Sequence, residues 1–156
     1  MPASGETRRS GASGTPSEAT PVMINGETVV PIASSADIVS ARQHGRSLAA
    51  GLGFAGSDLT VIATAISELA RNIVLYAGEG EVIIKRLERG ERRGVSVVAR
   101  DEGPGIPDIE HAMQDGYSTS GGTGLGLPGV RRLMDDFEIV SEVDKGTRVT
   151  VRKWTR

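Results

Sequence analysis

The stretch Ser57-Asp58-Leu59-Thr60-Val61-Ile62-Ala63-Thr64-Ala65-Ile66-Ser67-Glu68-Leu69-Ala70-Arg71-Asn72-Ile73 decides how the rest of this chain is read. Leu59, Ile62, Ala63, Ile66, Leu69, Ala70 and Ile73 recur at the three- and four-residue spacing of an α-helix, and Ser57 or Asp58 stands where a cap would start it. A stripe this continuous has to be covered, and the flanking segments show by what. Before it, Thr28, Val29, Val30 and Ile32 predict a strand over residues 27–33, and a helix capped by Ser35 or Asp37 runs to about Leu52, ended by Gly53. After it, residues 81–87 and 95–101 read as two strands joined as a hairpin through the charged segment 88–94. A short helix initiated by Pro107, a Gly-rich loop, a helix over 127–136 and closing strands over 138–143 and 147–153 complete the order. Five strands, mostly hairpin-linked, with about four helices, predict an α+β two-layer sandwich: a mixed, mostly antiparallel sheet with helices on one face.

The 156 residues, 38% hydrophobic and 24% charged, suffice for one globular domain with a modest core and leave no room for a second. Residues 1–21, mostly Ser, Gly, Thr, Pro and Ala, are expected to be a disordered tail in which Arg8 and Arg9 are simply solvated; the domain is expected to occupy 22–156. A net charge of -2 gives no overall positive field for nucleic acid or an anionic membrane, so neither is expected as a partner. Zero cysteines exclude disulfides and thiolate metal sites, and two distant histidines, His44 and His111, leave zinc almost without ligands, so any metal is expected on oxygen. No apolar run of roughly 18 residues and no secretory core are evident, which makes a cytoplasmic address the default expectation.

Three segments carry chemistry. Glu68 and Asn72 are four apart on one helical face, with Val61, Thr64 and Ala65 in line. Asn is a poor interior helix former, so an amide oxygen there suits a Mg²⁺ ligand, with a carboxylate one turn away to accept a proton; alternatively Glu68 pairs with Arg71 and Asn72 prepares the helix end. Asp101 closes a strand in which Val95, Val97 and Ala99 share its face, and Gly103 and Gly105 follow. A semi-buried carboxylate needs a donor, and an adenine amino group is one, with glycines letting a flat ligand approach; an Asp-Gly turn stiffened by Pro104 is the plainer alternative. Gly121-Gly122-Thr123-Gly124-Leu125-Gly126 then runs into the helical pattern Leu127, Val130, Leu133, Met134 with Pro128 in its first turn. Free amides and the positive end of a helix dipole make this an anion site, and it is neither a Walker A loop nor a Rossmann fingerprint. Thr147, after Gly146, offers a hydroxyl to an adenine nitrogen or a bridging water, and Trp154 reads as a packing residue.

In this order, Glu68…Asn72, Asp101-x-Gly103-x-Gly105, Gly122-x-Gly124-Leu125-Gly126 and Gly146-Thr147, the chain resembles the GHKL (Bergerat-fold) superfamily of ATPases and kinases over about Val61 to Val151. The resemblance implies ATP or ADP with Mg²⁺ as the bound group. It implies Asn72 as the metal ligand, Asp101 as the adenine acceptor, Gly103 and Gly105 behind the base, residues 122–126 with Ser120 and Gly121 as lid and phosphate loop, and Glu68 as the base. Ala65-Ile66-Ser67-Glu68-Leu69-Ala70-Arg71-Asn72, Asp101-Glu102-Gly103-Pro104-Gly105-Ile106-Pro107-Asp108-Ile109 and Gly116-Tyr117-Ser118-Thr119-Ser120-Gly121-Gly122 are similar to the stressosome switch serine/threonine kinases. That implies phosphorylation of STAS-domain partners and, after release, activation of a partner phosphatase. The lid carries no Lys or Arg, which leaves Arg71 or a partner's side chain to meet the γ-phosphate. The runner-up is an anti-sigma factor of the related group that sequesters a sigma factor. A two-component histidine kinase is disfavoured, since neither His44 nor His111 lies in a dimerisation helix pair.

Overall fold

The computed structural model describes residues 21–24, 26–114 and 126–156; the expected tail and most of the Gly-rich loop lie outside them. In chain order the elements are β1 (Val22–Ile24), β2 (Glu27–Ile32), α1 (Ser35–Gly51), α2 (Gly56–Asn72), continued by a π-helical turn (Ile73–Ala77), β3 (Gly80–Arg89), β4 (Arg92–Asp101), α3 (Ile109–Ala112), α4 (Gly126–Leu133), β5 (Asp136–Glu142) and β6 (Gly146–Trp154). The sheet has six strands, not five, in the order β1-β2-β3-β4-β6-β5. Every pairing is antiparallel, so the expectation of a mixed sheet is corrected. Strands β4 and β5, separated by β6, run parallel to each other and are linked through α3 and α4, whereas strands that pair directly all run in opposite directions.

Register explains the core. Val30, Val82, Ala99 and Val149 lie opposite one another across four strands, as do Ile84, Val97 and Val151 across three, and all are buried. This face is closed by Ile62, Ile66 and Leu69 of α2, Ile38 and Ala41 of α1, and Val130 of α4. On the opposite face Arg100 and Arg148 are exposed side by side, and Arg100 pairs with Glu81. The helices therefore sit on one face, as read from the periodicities.

Helix starts differ from the sequence reading. Ser34 is the N-cap residue of α1, and Asp37, 2% exposed, does the bonding from the third position: its Oδ2 accepts from the Ala33 amide at 2.8 Å and the Ser34 hydroxyl at 3.2 Å. Helix α2 begins at Gly56 with Ala55 as N-cap and no side-chain cap, so Ser57 and Asp58 lie in its first turn, where Asp58 complements the helix dipole. The short α3 starts after Asp108, whose side chain accepts from the His111 amide at 3.0 Å, rather than at Pro107. With its π turn, the segment Gly56–Ala77 is 22 residues long and apolar enough to cross a membrane by length and composition, contrary to the reading of the sequence. Here it is the central core helix, and Ile62, Ile66 and Leu69 are spent on the sheet.

Helix α4 ends at Leu133, before the expected 136, because Lys153 reaches across from β6. Its Nζ donates to the Leu133 carbonyl at 3.0 Å and lies 3.8 Å from Asp135 Oδ1, with the residue only 6% exposed. Lys153→Met keeps the length of the stem and removes the cap. It is expected to cost about 1–2 kcal/mol, lowering the unfolding midpoint by about 3–8 °C in a thermal melt; an unchanged midpoint would show that the cap contributes nothing.

Candidate functional site

Where α2 turns into the π segment, the helix, the end of β4, the segment after it and the middle of β6 surround a cavity of about 220 Å³. Its walls are Leu69, Ile73, Ala99, Ile106, Ala112, Leu127 and Val149, with Tyr76, Ala77, Pro104 and Pro107 toward its margin and three polar groups, Asn72, Asp101 and Thr147, among them. An apolar slot with a few converging polar groups suits a flat heteroaromatic ring.

Four of the residues singled out from sequence, Asn72, Asp101, Gly105 and Thr147, thus meet in one place. Asp101 Oδ1 accepts from the Gly103 amide at 2.8 Å, an Asx turn that aims the carboxylate, and Oδ2 has no hydrogen bond among the described residues. Asn72 Oδ1 is buried and has no hydrogen-bond partner among the described residues. A buried amide oxygen left in this way costs about 1–3 kcal/mol unless a ligand completes it, so the site fits a hard cation there. One turn earlier Glu68 is 1% exposed, and Arg71 Nε lies 3.9 Å from Glu68 Oε2. Arg71 Nε is itself buried without a hydrogen-bond acceptor among the described residues. Both alternatives for Glu68 are therefore present at once: it is ion-paired with Arg71 and it sits on the face that carries Asn72.

The glycines also meet a need within the protein itself. A Cβ at Gly103 would meet Ala77 Cβ at 2.6 Å, and one at Gly105, where φ is +79°, would overlap the Glu142 carbonyl oxygen. What approaches them is the protein's own backbone, since the loop after β4 is clamped between the π turn and the β5–β6 hairpin. Ser141 is the fastener, and the sequence reading missed it. Its Oγ accepts from the Ile106 amide at 2.7 Å, contacts Thr147 Oγ1 at 2.7 Å and donates to the Gly146 carbonyl at 3.3 Å. The Asp144 amide adds a bond to the Pro104 carbonyl at 2.8 Å. Thr147 thus holds the loop as well as facing the cavity.

Tyr76 and Ala77 were missed too, because they enter the cavity wall through the π turn, closed by Gly78 N to Ile73 O at 2.9 Å, and such turns gather at functional sites. Gly126 is buried at the first turn of α4, next to the cavity-lining Leu127, so the helix begins at the edge of the cavity. Ser120, Gly121, Gly122, Gly124 and Leu125 lie outside the described residues.

Comparison with known proteins gives the following. The family model described as "Histidine kinase-, DNA gyrase B-, and HSP90-like ATPase" matches residues 57–155. The chain is 51% identical over 133 residues to "Serine/threonine-protein kinase RsbT" of Bacillus subtilis (strain 168), spanning 85% of this chain and 100% of that protein. It is 36% identical over 101 residues to "Anti-sigma F factor" of Geobacillus stearothermophilus, spanning 62% of this chain and 69% of that one. Among solved structures, a chain of the SiaB-SiaC complex from Pseudomonas aeruginosa shares the fold, with a TM-score of 0.52 at 18% identity over 85% of this chain and 91% of that chain.

Proposed function

We infer the activity from one premise: this chain belongs to the Histidine kinase-, DNA gyrase B-, and HSP90-like ATPase family. It is an ATP-dependent serine/threonine protein kinase of the partner-switching type, and its cavity takes the adenine of ATP or ADP. The observation that carries this reading is the buried Glu68 carboxylate one turn from an Asn72 oxygen that has no hydrogen-bond partner among the described residues, beside an adenine-sized slot.

In this reading Asp101 Oδ2 accepts from the adenine amino group, while Oδ1 stays with the Gly103 amide. Guanine would bring a carbonyl to that carboxylate and leave both acceptors unpaired. Asn72 Oδ1 would hold Mg²⁺, and the bound ion supplies neutralisation of phosphate charge. Glu68 Oε2 takes the proton of the attacking serine or threonine hydroxyl, and Arg71, already beside it, is the cation nearest the reacting end among the described α2 residues. The amides at the start of α4 and of residues 121–126 hold phosphate oxygens.

Asp101→Asn is expected to weaken ADP binding by about 1–3 kcal/mol, because an amide turning its NH₂ outward meets the adenine amino group donor to donor. Titration calorimetry checks this, and unchanged affinity would remove Asp101 from adenine recognition.

The substrate is a STAS-domain protein phosphorylated on Ser or Thr, a freed kinase goes on to activate a partner phosphatase, and the setting is cytoplasmic. Incubating the purified chain with radiolabelled ATP and candidate STAS proteins tests this directly, with label on the STAS protein as the supporting result. The likeness to proteins named anti-sigma F factor favours one second reading, in which the chain sequesters a sigma factor and nucleotide sets its affinity. Failure to label any STAS protein, together with capture of a sigma factor, would move the assignment there.

A further inference from the structure

At the end of the sheet far from the cavity, charge is arranged in a way the nucleotide site does not use. Residues 85–93 hold five cations, Lys85, Arg86, Arg89, Arg92 and Arg93, against two carboxylates, Glu88 and Glu91, in a chain of net charge -2. Arg89 and Arg92 face each other directly as the last pair of the β3–β4 hairpin. Like charges directly opposite destabilise a hairpin. Both guanidiniums are nonetheless gathered on one ring, that of Trp154, at 4.8 and 5.5 Å from its centroid.

The ring is fixed in place. Trp154 is 6% exposed, lies against Gly94, where a Cβ would meet its Cε3 at 2.7 Å, and donates from Nε1 to Asp136 Oδ2 at 3.3 Å. Three nearby cations have carboxylates of their own: Arg86 has Glu88 at 3.4 Å, Arg152 has Glu138 at 4.0 Å and Arg156 has Asp135 at 3.5 Å. Arg89 and Arg92 are exposed, and neither has an ion pair or a side-chain hydrogen-bond acceptor among the described residues.

We propose that Arg89 and Arg92, ordered on Trp154, form a docking site for a run of carboxylates on an acidic partner protein. Guanidinium forks match carboxylates two bonds at a time, and ordering on the ring removes side-chain freedom before the partner arrives. Nucleic acid fits less well. The ring is covered, so no base can stack on it, and Glu88, Glu91 and Asp136 interrupt the field that a phosphate backbone would follow. Strand β4 is ten residues long, which at about 3.3 Å per residue sets the site about 30 Å from Asp101. The proposal is therefore independent of the kinase reading.

The test uses the full chain and a fluorescein-labelled octaglutamate peptide, read by anisotropy at low salt. Because Trp154 is the chain's single tryptophan, its emission reports occupancy of the same spot. The peptide is expected to bind and shift that emission, and Arg89→Gln/Arg92→Gln to weaken binding by about tenfold or more. A circular dichroism melt confirms that the variant is folded; if the pair does not fold, each single Gln variant is expected to lose at least about threefold. Equal affinity in a folded variant, or binding that leaves Trp154 emission untouched, overturns the proposal. Tighter binding of an eight-nucleotide thymidine oligomer than of the peptide overturns it in favour of a nucleic-acid surface.

Discussion

Glu68→Gln is expected to slow phosphoryl transfer by about 10²- to 10⁴-fold, the usual worth of a general base, while leaving ADP affinity nearly unchanged. Glutamine occupies the same volume, so a side chain that is 1% exposed is replaced without opening a cavity. In the proposed mechanism what is lost is the acceptor for the hydroxyl proton, together with the counter-charge 3.9 Å from Arg71 Nε. The two losses separate by measurement. If Glu68 served only to balance Arg71, the variant would melt earlier but turn over at the wild-type rate. Single-turnover transfer to a STAS substrate beside a thermal melt distinguishes them, and a wild-type rate removes Glu68 from the chemistry.

The second large effect is on the fold around the site. Gly146→Ala is expected to destabilise the domain by about 2–6 kcal/mol, since backbone strain and overpacking each cost about 1–3 kcal/mol. Gly146 has φ +119°, and a Cβ there would overlap the Asp101 carbonyl oxygen and lie 2.8 Å from Glu102 Cα. Both obstacles are main chain, so no side chain can swing aside. Gly90→Ala is the internal control: its φ is +63° but nothing lies within 4 Å, and its cost should be about 1 kcal/mol. Urea unfolding of the two variants gives the comparison. A loss at Gly146 no larger than at Gly90 would mean that β6 does not press on the end of β4 as described.

The fold was legible wherever periodicity carried it. The stripe from Leu59 to Ile73 is α2, and the alternation Val95, Val97, Ala99 is the core face of β4. Boundaries were missed where a local cue outweighed a tertiary one. Glu88, Arg89, Arg92 and Arg93 look like loop residues, yet β3 and β4 stay paired through all of them to a turn at Gly90 and Glu91, because ladder bonds need no apolar side chain once the strands are aligned. Strand β1 is three residues long and gives too little pattern to detect. At the site, Asn72 and Asp101 stood out because a polar residue at the end of an apolar pattern demands a reason. Ser141 carries no such mark. It lies on the same face of β5 as Phe137 and Ile139, and only the folded hairpin reveals that its hydroxyl serves three groups on two other segments. At Gly103 and Gly105 the folded chain adds main-chain crowding as a reason for glycine, and crowding and ligand access leave the same letter in a sequence.

That hairpin has a mechanical corollary. Strand β5 is the rim of the sheet, paired on one side only, and its hairpin is stapled to the loop after β4 through Ser141 to Ile106, Asp144 to Pro104 and the tight seat of Gly105 against Glu142. A protein gripping that rim would tug directly on the wall of the cavity, so the outer strand and that wall move as a single lever.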